Sequence, residues 1–189
     1  ILILTRIQKQ QFRRFRFLKT LVADIGGTNS RLAFALTSNN EKKIELENIQ
    51  KFRNSDFKNF DEVIEKYLAI SDEMSVDQMC IAAAGIISGA TVEMSNLNWK
   101  ITAPSLKKIA NAEKVLVIND LQAQGYALGC LKPKDLETLI EGNHSVDPHD
   151  IKLVCGMGTG FNVAISYQTP FGTFVPASEY GHARITTAN

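Results

Sequence analysis

The order of short apolar runs along the chain constrains its fold more than any other feature of the sequence. Three such runs come first, and helical patterns then alternate with two further apolar runs. The first three strands are predicted over 21–25, 30–36 and 43–52. The later elements are predicted as helices over 57–68, 104–112 and 121–131, separated by strands over 78–85 and 115–120. The order β-β-β-α-β-α-β-α predicts an α/β fold with a mixed sheet and helices on its faces.

Local patterns refine two of these elements. The apolar residues of the third strand alternate with polar ones, except that the step from Leu46 to Ile49 breaks the period of two. Ser55 and Asp56 precede the first helix and are its candidate N-caps. The order of the elements is the one found in the ribonuclease-H-like fold of actin-like ATPases and sugar kinases.

Composition places the chain among ordinary globular proteins. Of its 189 residues, 44% are hydrophobic and 22% are charged, and no apolar stretch approaches the roughly 18–20 residues that a bilayer span needs. The three cysteines, Cys80, Cys130 and Cys155, are widely spaced and form no C-x-x-C pair. We therefore expect neither a disulfide framework nor a zinc ribbon, and we predict a reducing, cytoplasmic setting with no membrane partner.

Positive charge is concentrated at the start of the sequence. The segment 1–19 holds six of the 21 Lys and Arg residues and no acidic residue, so the remainder carries 15 basic against 20 acidic residues. This mildly acidic remainder argues against nucleic acid as the main partner. The basic segment could be a transit-like peptide, an amphipathic surface-binding segment or an extension outside the fold, and we favour the third interpretation.

A second copy of the strand, glycine turn and strand pattern follows the first at a distance of 132 residues. At that shift, Leu153, Val154, Met157, Gly158 and Ala164 align with Leu21, Val22, Ile25, Gly26 and Leu32. Such a repeat suggests two related domains that face each other. We predict a basic extension over 1–19, a first domain over 20–131, a linker loop over 132–150 and the beginning of a second domain over 151–189.

Two glycine-rich turns carry the first candidate chemistry. The segment 24–29, Asp-Ile-Gly-Gly-Thr-Asn, places backbone N–H groups where phosphate oxygens could approach them, although it is not a P-loop because no Gly-Lys-Ser/Thr follows. The segment 156–160, Gly-Met-Gly-Thr-Gly, is the matching turn of the second copy. The pair could clamp a polyphosphate, whereas a single such turn could equally be structural.

Polar residues at the ends of predicted strands form the second group of candidates. Asn119 and Asp120 end an apolar run, and ligands of α/β sheets bind at the carboxyl ends of such strands. Asp120 could instead cap the helix that follows. Glu179 and His182 end a strand-like run and could bind one polar ligand, or lie in a solvated turn. Asn96 lies in a loop with the single tryptophan, Trp99, which suits a polyol unless that ring is part of the core.

The segment 144–150 contains two histidines and two aspartates, His144, His149, Asp147 and Asp150. Their spacing matches no recognised set of metal ligands, so we do not expect a metal site there.

Five motifs in this order resemble the bacterial glucokinase family, which belongs to the hexokinase branch of the actin-like kinases. They are LVADIGGTNSRLAFAL, MSNLNW, VLVINDLQA, GMGTGFNVA and SEYGH, and they extend from about Leu21 to His182. Asn162 stands where the family usually has a glycine, and Ala177-Ser178 stands where it often has Pro-Gly. The resemblance implies a ribonuclease-H-like domain followed by the first strands of a second, similar domain.

The resemblance also implies roles for individual residues in the transfer of a phosphoryl group from ATP to the 6-hydroxyl of glucose. Asp120 would be the general base and would also contact the sugar, and Asp24 would act on Mg²⁺ through water. The other sugar-binding residues would be Asn96, Asn119, Glu179 and His182. The phosphate-binding residues would be Gly26, Gly27, Thr28, Asn29, Gly158, Thr159 and Gly160. The intact protein would be a homodimer.

Two other functions fit the same residues. A non-catalytic sugar sensor or sugar-binding fragment would keep the sugar residues without needing Asp120 and both glycine turns. A kinase for mannose, fructose or an N-acetylated hexose would keep all of them. We also expect little activity from residues 1–189 alone, because strands over 151–176 would be mobile, strained or paired with a second copy.

Overall fold

A computed structural model of the chain describes residues 18–37, 44–142, 151–157 and 161–178. Its strands are β1 (Leu18–Ile25), β2 (Asn29–Thr37), β3 (Ile44–Arg53), β4 (Gln78–Ala83), β5 (Gly85–Ser88), β6 (Thr91–Met94), β7 (Lys100–Thr102), β8 (Lys114–Asn119), β9 (Lys152–Met157), β10 (Phe161–Thr169) and β11 (Gly172–Phe174). Its α-helices are α1 (Phe60–Ser71), α2 (Ala103–Ile109) and α3 (Asp120–Ala127). Short 3₁₀ turns cover Asn54–Asp56, Leu128–Cys130 and Pro133–Asp135.

A five-stranded mixed sheet forms the centre of the fold, with the strand order β3-β2-β1-β4-β8. The strands β1, β2 and β3 pair antiparallel, whereas β4 pairs parallel with β1 and β8 pairs parallel with β4. The predicted mixed α/β sheet is therefore confirmed. Because β1, β4 and β8 run in the same direction, their carboxyl ends meet at one edge of the sheet, where ligands of such sheets bind.

A β-bulge accounts for the broken alternation in β3. The pairing of β2 with β3 shifts between Leu32 and Phe34, and Asn48 adopts a positive φ of 55°. The Tyr67 hydroxyl of α1 donates a hydrogen bond to the Asn48 carbonyl, and burial raises the pKa of Tyr67 to about 12, so the phenol remains a donor. The apolar residues beside the bulge, Leu46 and Ile49, are exposed because β3 is an edge strand.

The helix α1 covers the core and begins later than predicted. Its N-cap is Asn59, whose side chain accepts a hydrogen bond from the Glu62 N–H, so the prediction of Ser55 or Asp56 as the cap was wrong. The reason is that residues 54–56 form a separate 3₁₀ turn before the helix. Val63, Ile64 and Tyr67 of α1 are buried in the core that the sheet, α1 and α2 share.

A small second sheet was missing from the prediction. It has the order β5-β6-β7, all antiparallel, and follows β4 directly. Its strands contain only three or four residues, too few to show a period. Gly85 at its start is required because a side chain there would meet the Glu93 carbonyl oxygen at 2.4 Å.

A third sheet, with the order β11-β10-β9, contains the second copy of the repeat. The bounds of β10 match those of β2 at the 132-residue shift, but Met157 pairs with Phe161, whereas Ile25 pairs with Ser30. The second hairpin connection is therefore one residue shorter than the first. Among the described residues, no strand of this sheet pairs with the five-stranded sheet.

The third sheet packs against α3, which follows β8. Leu121 of α3 is buried with Ala164 and Val175, and Val154 packs against them. Gly125 of α3 permits this approach, since a Cβ there would lie 2.8 Å from Val175 Cγ1. In the part of the chain that the structure describes, no helix is long and apolar enough to cross a membrane.

We expect Gly125→Ala to destabilise the contact between α3 and the third sheet. The added methyl group would overlap Val175, and overpacking of this kind costs about 1–3 kcal/mol in the free energy of unfolding. Gly129→Ala is the matched control, because a Cβ at Gly129 meets none of the described atoms within 4 Å. Chemical denaturation of both variants would measure the difference, and equal stabilities would contradict the packing described here.

Candidate functional site

A cavity of about 450 Å³ lies where β1, β4 and β8 end. Gly26 and Gly27 line it after β1, Ala84 and Gly85 after β4, and Asn119 and Asp120 at the end of β8. A backbone hydrogen bond joins the ends of β1 and β4, since the Ala84 N–H donates to the Ile25 carbonyl at 3.0 Å. The structure thus brings the first glycine turn and Asp120, which the sequence places far apart, to one cavity.

The first glycine turn joins β1 to β2 and presents backbone to this cavity. The Gly26 N–H donates to the Asn29 carbonyl at 3.0 Å, whereas the N–H groups of Gly27 and Thr28 form no hydrogen bond with the described residues. Gly26 and Gly27 line the cavity, but Thr28 and Asn29 are not among the described residues that do. The turn therefore offers N–H donors, as an anion-binding turn requires.

The absence of a side chain at Gly27 allows the loop after β6 to approach the turn. A Cβ at Gly27 would lie 3.3 Å from the Asn96 Cβ. Asn96 and its neighbour Ser95 both line the cavity and are exposed. Trp99 is instead buried in the core, with its ring centroid 6.3 Å from that of Phe60, so it offers no surface to a polyol.

Asn119 is the N-cap of α3, so the alternative that Asp120 caps this helix was wrong. Its Oδ1 accepts hydrogen bonds from the N–H groups of Leu121 and Gln122, and its Nδ2 donates to the Gly85 carbonyl at 3.3 Å. Asn119 is 3% exposed, so its amide has a structural role whether or not it also binds a ligand. Because Asn119 caps the helix, the carboxylate of Asp120 is not needed for that role.

Asp120 lies at the first position of α3, half-buried at the cavity wall. Its Oδ1 accepts a hydrogen bond from the Leu121 N–H at 2.9 Å. A carboxylate in the first turn of a helix is favoured by the helix dipole. This hydrogen bond holds the carboxylate in place and leaves the second oxygen, Oδ2, without a hydrogen bond to the described residues.

The residues on both sides of the second glycine turn also line the cavity. Met157 at the end of β9 and Phe161 and Asn162 at the start of β10 line it. The Asn162 side chain accepts a hydrogen bond from the Val163 N–H at 2.9 Å. The predicted phosphate-binding residues Gly158, Thr159 and Gly160 lie outside the described residues, but the strands on both sides of them reach the same cavity as Gly26 and Gly27.

A smaller cavity of about 250 Å³ shares Asn119 with the first. Ile86, Ile87, Ala177 and Ser178 complete its lining, and the Ser178 hydroxyl donates to the Val163 carbonyl at 2.7 Å. The chain therefore reaches the neighbourhood of Asn119 one residue before Glu179. The predicted sugar-binding residues Glu179 and His182 lie outside the described residues.

Asp24 lies on β1 before the turn and is not among the described residues that line the cavity. Its Oδ2 accepts a hydrogen bond from Arg31 of β2 at 3.1 Å, and both side chains are more than half exposed. Among the described residues, no three side chains of the metal-binding types cluster together. The histidines of the segment 144–150 lie outside those residues.

Several residues that line the cavity were not singled out from the sequence. Gln124 is one turn beyond Asp120 on α3, so helical spacing could have identified it. Its side chain is exposed and forms no hydrogen bond with the described residues. Ser95, Met157 and Phe161 also line the cavity. These three lie within the motifs MSNLNW and GMGTGFNVA, but none of them was predicted as a site residue.

A further cavity of about 440 Å³ lies near the amino ends of β1 and β4. Lys19, Glu73 and Asp77 are among the residues that line it, and Lys19 forms an ion pair with Glu73. It contains none of the described residues that the sequence indicated as functional.

Comparisons with known proteins give a consistent result. The model of the family described as Glucokinase matches residues 21–189. A glucokinase of Saccharophagus degradans is 31% identical over 89% of this chain and 51% of its own length. A glucokinase of Caulobacter vibrioides is 34% identical over 86% of this chain and 48% of its own length. The crystal structure of a glucokinase from an Antarctic psychrotroph has a TM-score of 0.77 and 29% identity, over 92% of this chain and 54% of that one. The chain thus spans about half the length of the curated relatives it matches.

Proposed function

Because the chain belongs to the glucokinase family, we propose that the whole protein transfers the γ-phosphoryl group of ATP to the 6-hydroxyl of glucose at the cavity described above. One observation carries the proposal. Asp120 and the first glycine turn line a single cavity at the carboxyl ends of parallel strands, and the Gly27 N–H of that turn has no hydrogen bond with the described residues. The carboxylate can accept the proton of a sugar hydroxyl, and the N–H groups of the turn can donate hydrogen bonds to phosphate oxygens.

On the acceptor side, Asp120 is proposed to accept the proton of the sugar 6-hydroxyl. The carboxylate is held by the Leu121 N–H through Oδ1, which leaves Oδ2 for that hydroxyl. Asn96 and Asn119 line the cavity and are proposed to bind other hydroxyl groups of the sugar. Glu179 and His182 remain predicted sugar-binding residues.

On the donor side, the turn is proposed to bind the phosphates of ATP through backbone N–H groups. Gly26 and Gly27 would approach the phosphates most closely, since they line the cavity, and Thr28 and Asn29 would contribute from its margin. Gly158, Thr159 and Gly160 are proposed to close on the nucleotide from the other side. Phosphoryl transfer relies mainly on positioning and charge stabilisation, which two facing turns would supply.

ATP is expected to bind with Mg²⁺, which neutralises the charge of the phosphoryl oxygens. Asp24 is the proposed partner of that ion through water. Asp24 lies before the turn and outside the cavity lining, so it would reach the ion only through water. Its ion pair with Arg31 lies between exposed side chains, and such pairs contribute little, about 0–1 kcal/mol. The carboxylate can therefore exchange Arg31 for a hydrated cation at small cost.

The organisation of the whole protein is also a proposal. We propose a first domain over 20–131, a connection over 132–150 and a second domain that begins at 151, with the cavity between them. The packing of the third sheet on α3 supports an arrangement in which the second glycine turn faces the first. A homodimeric state is proposed from the resemblance, and a cytoplasmic location from the wide spacing of the three cysteines. No nucleic acid or membrane partner is proposed.

Steady-state kinetics on the whole protein would test the proposed function. We expect ADP to be formed from ATP only when glucose is present. We expect a lower kcat/KM when mannose, fructose or N-acetylglucosamine replaces glucose. A higher kcat/KM with one of these sugars would identify a kinase for another hexose. Tight glucose binding by calorimetry without ADP release would instead identify a non-catalytic sugar-binding protein, and either result would overturn the proposal.

A further inference from the structure

A buried asparagine outside the cavity lining forms hydrogen bonds with the first glycine turn. Asn54, in the 3₁₀ turn after β3, is 1% exposed and donates from Nδ2 to the Gly26 carbonyl at 2.8 Å. Its backbone N–H donates to the Thr28 carbonyl at 2.9 Å. Asn54 therefore binds two peptide groups of the turn, one on each side of Gly27.

A second buried residue fixes the orientation of the Asn54 amide. Ser30 of β2 is fully buried, and its hydroxyl donates to Asn54 Oδ1 at 2.7 Å. Because the hydroxyl hydrogen is given to Oδ1, the opposite end of the amide, Nδ2, faces the Gly26 carbonyl as a donor. Exchanging the two ends of the amide would place two acceptors, Oδ1 and the Gly26 oxygen, against each other.

These hydrogen bonds determine where the N–H groups of the turn point. In a trans peptide the C=O and the following N–H point in opposite directions, and no described peptide bond is cis. Because Asn54 holds the Gly26 carbonyl on its own side, the N–H of Gly27 points away from Asn54. That N–H belongs to a residue of the cavity wall and has no hydrogen bond with the described residues.

We infer that Asn54 and Ser30 are positioning residues for the phosphoryl donor: they hold the Gly26–Gly27 peptide so that its N–H is aimed at a phosphate oxygen. The inference rests on the proposed function for the identity of the donor. Neither residue is among those that line the cavity, so both act through the turn. A donor that is oriented before the ligand arrives costs no reorganisation when the ligand binds, so loss of Asn54 weakens nucleotide binding rather than sugar binding.

Asn54→Asp tests the inference in the whole protein. The carboxylate keeps the shape of the amide and still accepts from Ser30, but it cannot donate to the Gly26 carbonyl. We expect the KM for ATP and the Kd for ATP with Mg²⁺ to rise about tenfold, as the loss of one hydrogen bond predicts, with the Kd for glucose unchanged. Asn59→Ala is the matched control, since it removes the N-cap of α1 and lowers stability without touching the turn.

Three outcomes would overturn the inference: an unchanged Kd for ATP in Asn54→Asp, equal losses of ATP and glucose binding, or the same changes in Asn59→Ala. If Asn54→Asp fails to fold, Ser30→Ala decides, with an expected rise of about threefold in the Kd for ATP and none in that for glucose. If the wild-type protein binds ATP but phosphorylates no sugar, the proposed function fails and the inference is still judged on the Kd. A wild-type protein that binds no ATP would refute both.

Discussion

Asp120→Asn is expected to lower kcat of the whole protein by about 10²-fold or more while the Kd for glucose stays near that of the wild type. The amide keeps the shape of the carboxylate and can still accept a hydrogen bond from the Leu121 N–H, but it cannot take the proton of the sugar hydroxyl. The helix is not at risk, because Asn119 is its N-cap. Steady-state kinetics and calorimetry with glucose would separate the two quantities.

Asp72→Asn is the control for this substitution. Asp72 is exposed, is the C-cap of α1 and has a positive φ of 53°, a conformation that asparagine adopts readily. Its kcat is expected to equal that of the wild type. An Asp120→Asn enzyme with near-native kcat would show that Asp120 is not the general base.

Gly27→Val is expected to lower kcat/KM for ATP by about 10²-fold, the effect of a misplacement of about 1 Å at a phosphoryl-transfer site. A Cβ at this position already lies 3.3 Å from the Asn96 Cβ, so the branched side chain must move the Asn96 loop or extend into the cavity. Either change keeps a phosphate from the Gly27 N–H. The loss of ATP binding should exceed any loss of glucose binding, which titration with each ligand would measure.

Gly129→Val serves as the control for the added bulk. A Cβ at Gly129 meets none of the described atoms within 4 Å, and this residue is outside the cavity lining. Native binding of ATP by Gly27→Val would mean that the first turn does not hold the phosphates.

The central sheet could be predicted because its strands are apolar runs bounded by turn residues. The run 21–25 ends in two glycines and the run 115–120 ends in Asn-Asp, so both the strands and their polar ends are visible in the sequence. The bulge in β3 is also visible in the sequence, since the step from Leu46 to Ile49 breaks the alternation where the pairing shifts. What the pattern did not indicate is the exposure of these two residues, because an edge position depends on the strand order.

Other features of the fold could not be predicted because they depend on contacts between distant segments. The strands β5, β6 and β7 are too short to show a period, and the N-cap Asn59 competes with Ser55 and Asp56 in a segment rich in capping residues. The burial of Trp99 depends on Phe60, which lies 39 positions earlier in the sequence.

The candidate site was predictable to the extent that its residues lie at strand ends. Gly26, Gly27, Asn96, Asn119 and Asp120 were all singled out, and all five line one cavity. Asn54 was not, because nothing in its neighbourhood separates it from any other turn asparagine. Its importance follows only from its hydrogen bonds to Gly26 and Ser30, which are 28 and 24 residues away in the sequence.

Phosphorus NMR of the reaction products is the measurement that tests the central claim most directly. The whole protein would be incubated with ATP, Mg²⁺ and glucose, and then with the same mixture lacking the sugar. The account predicts a phosphomonoester resonance of glucose 6-phosphate that appears together with ADP, requires glucose and is lost in Asp120→Asn. ADP with inorganic phosphate and no sugar phosphate, or a sugar phosphate formed equally well by Asp120→Asn, would contradict it.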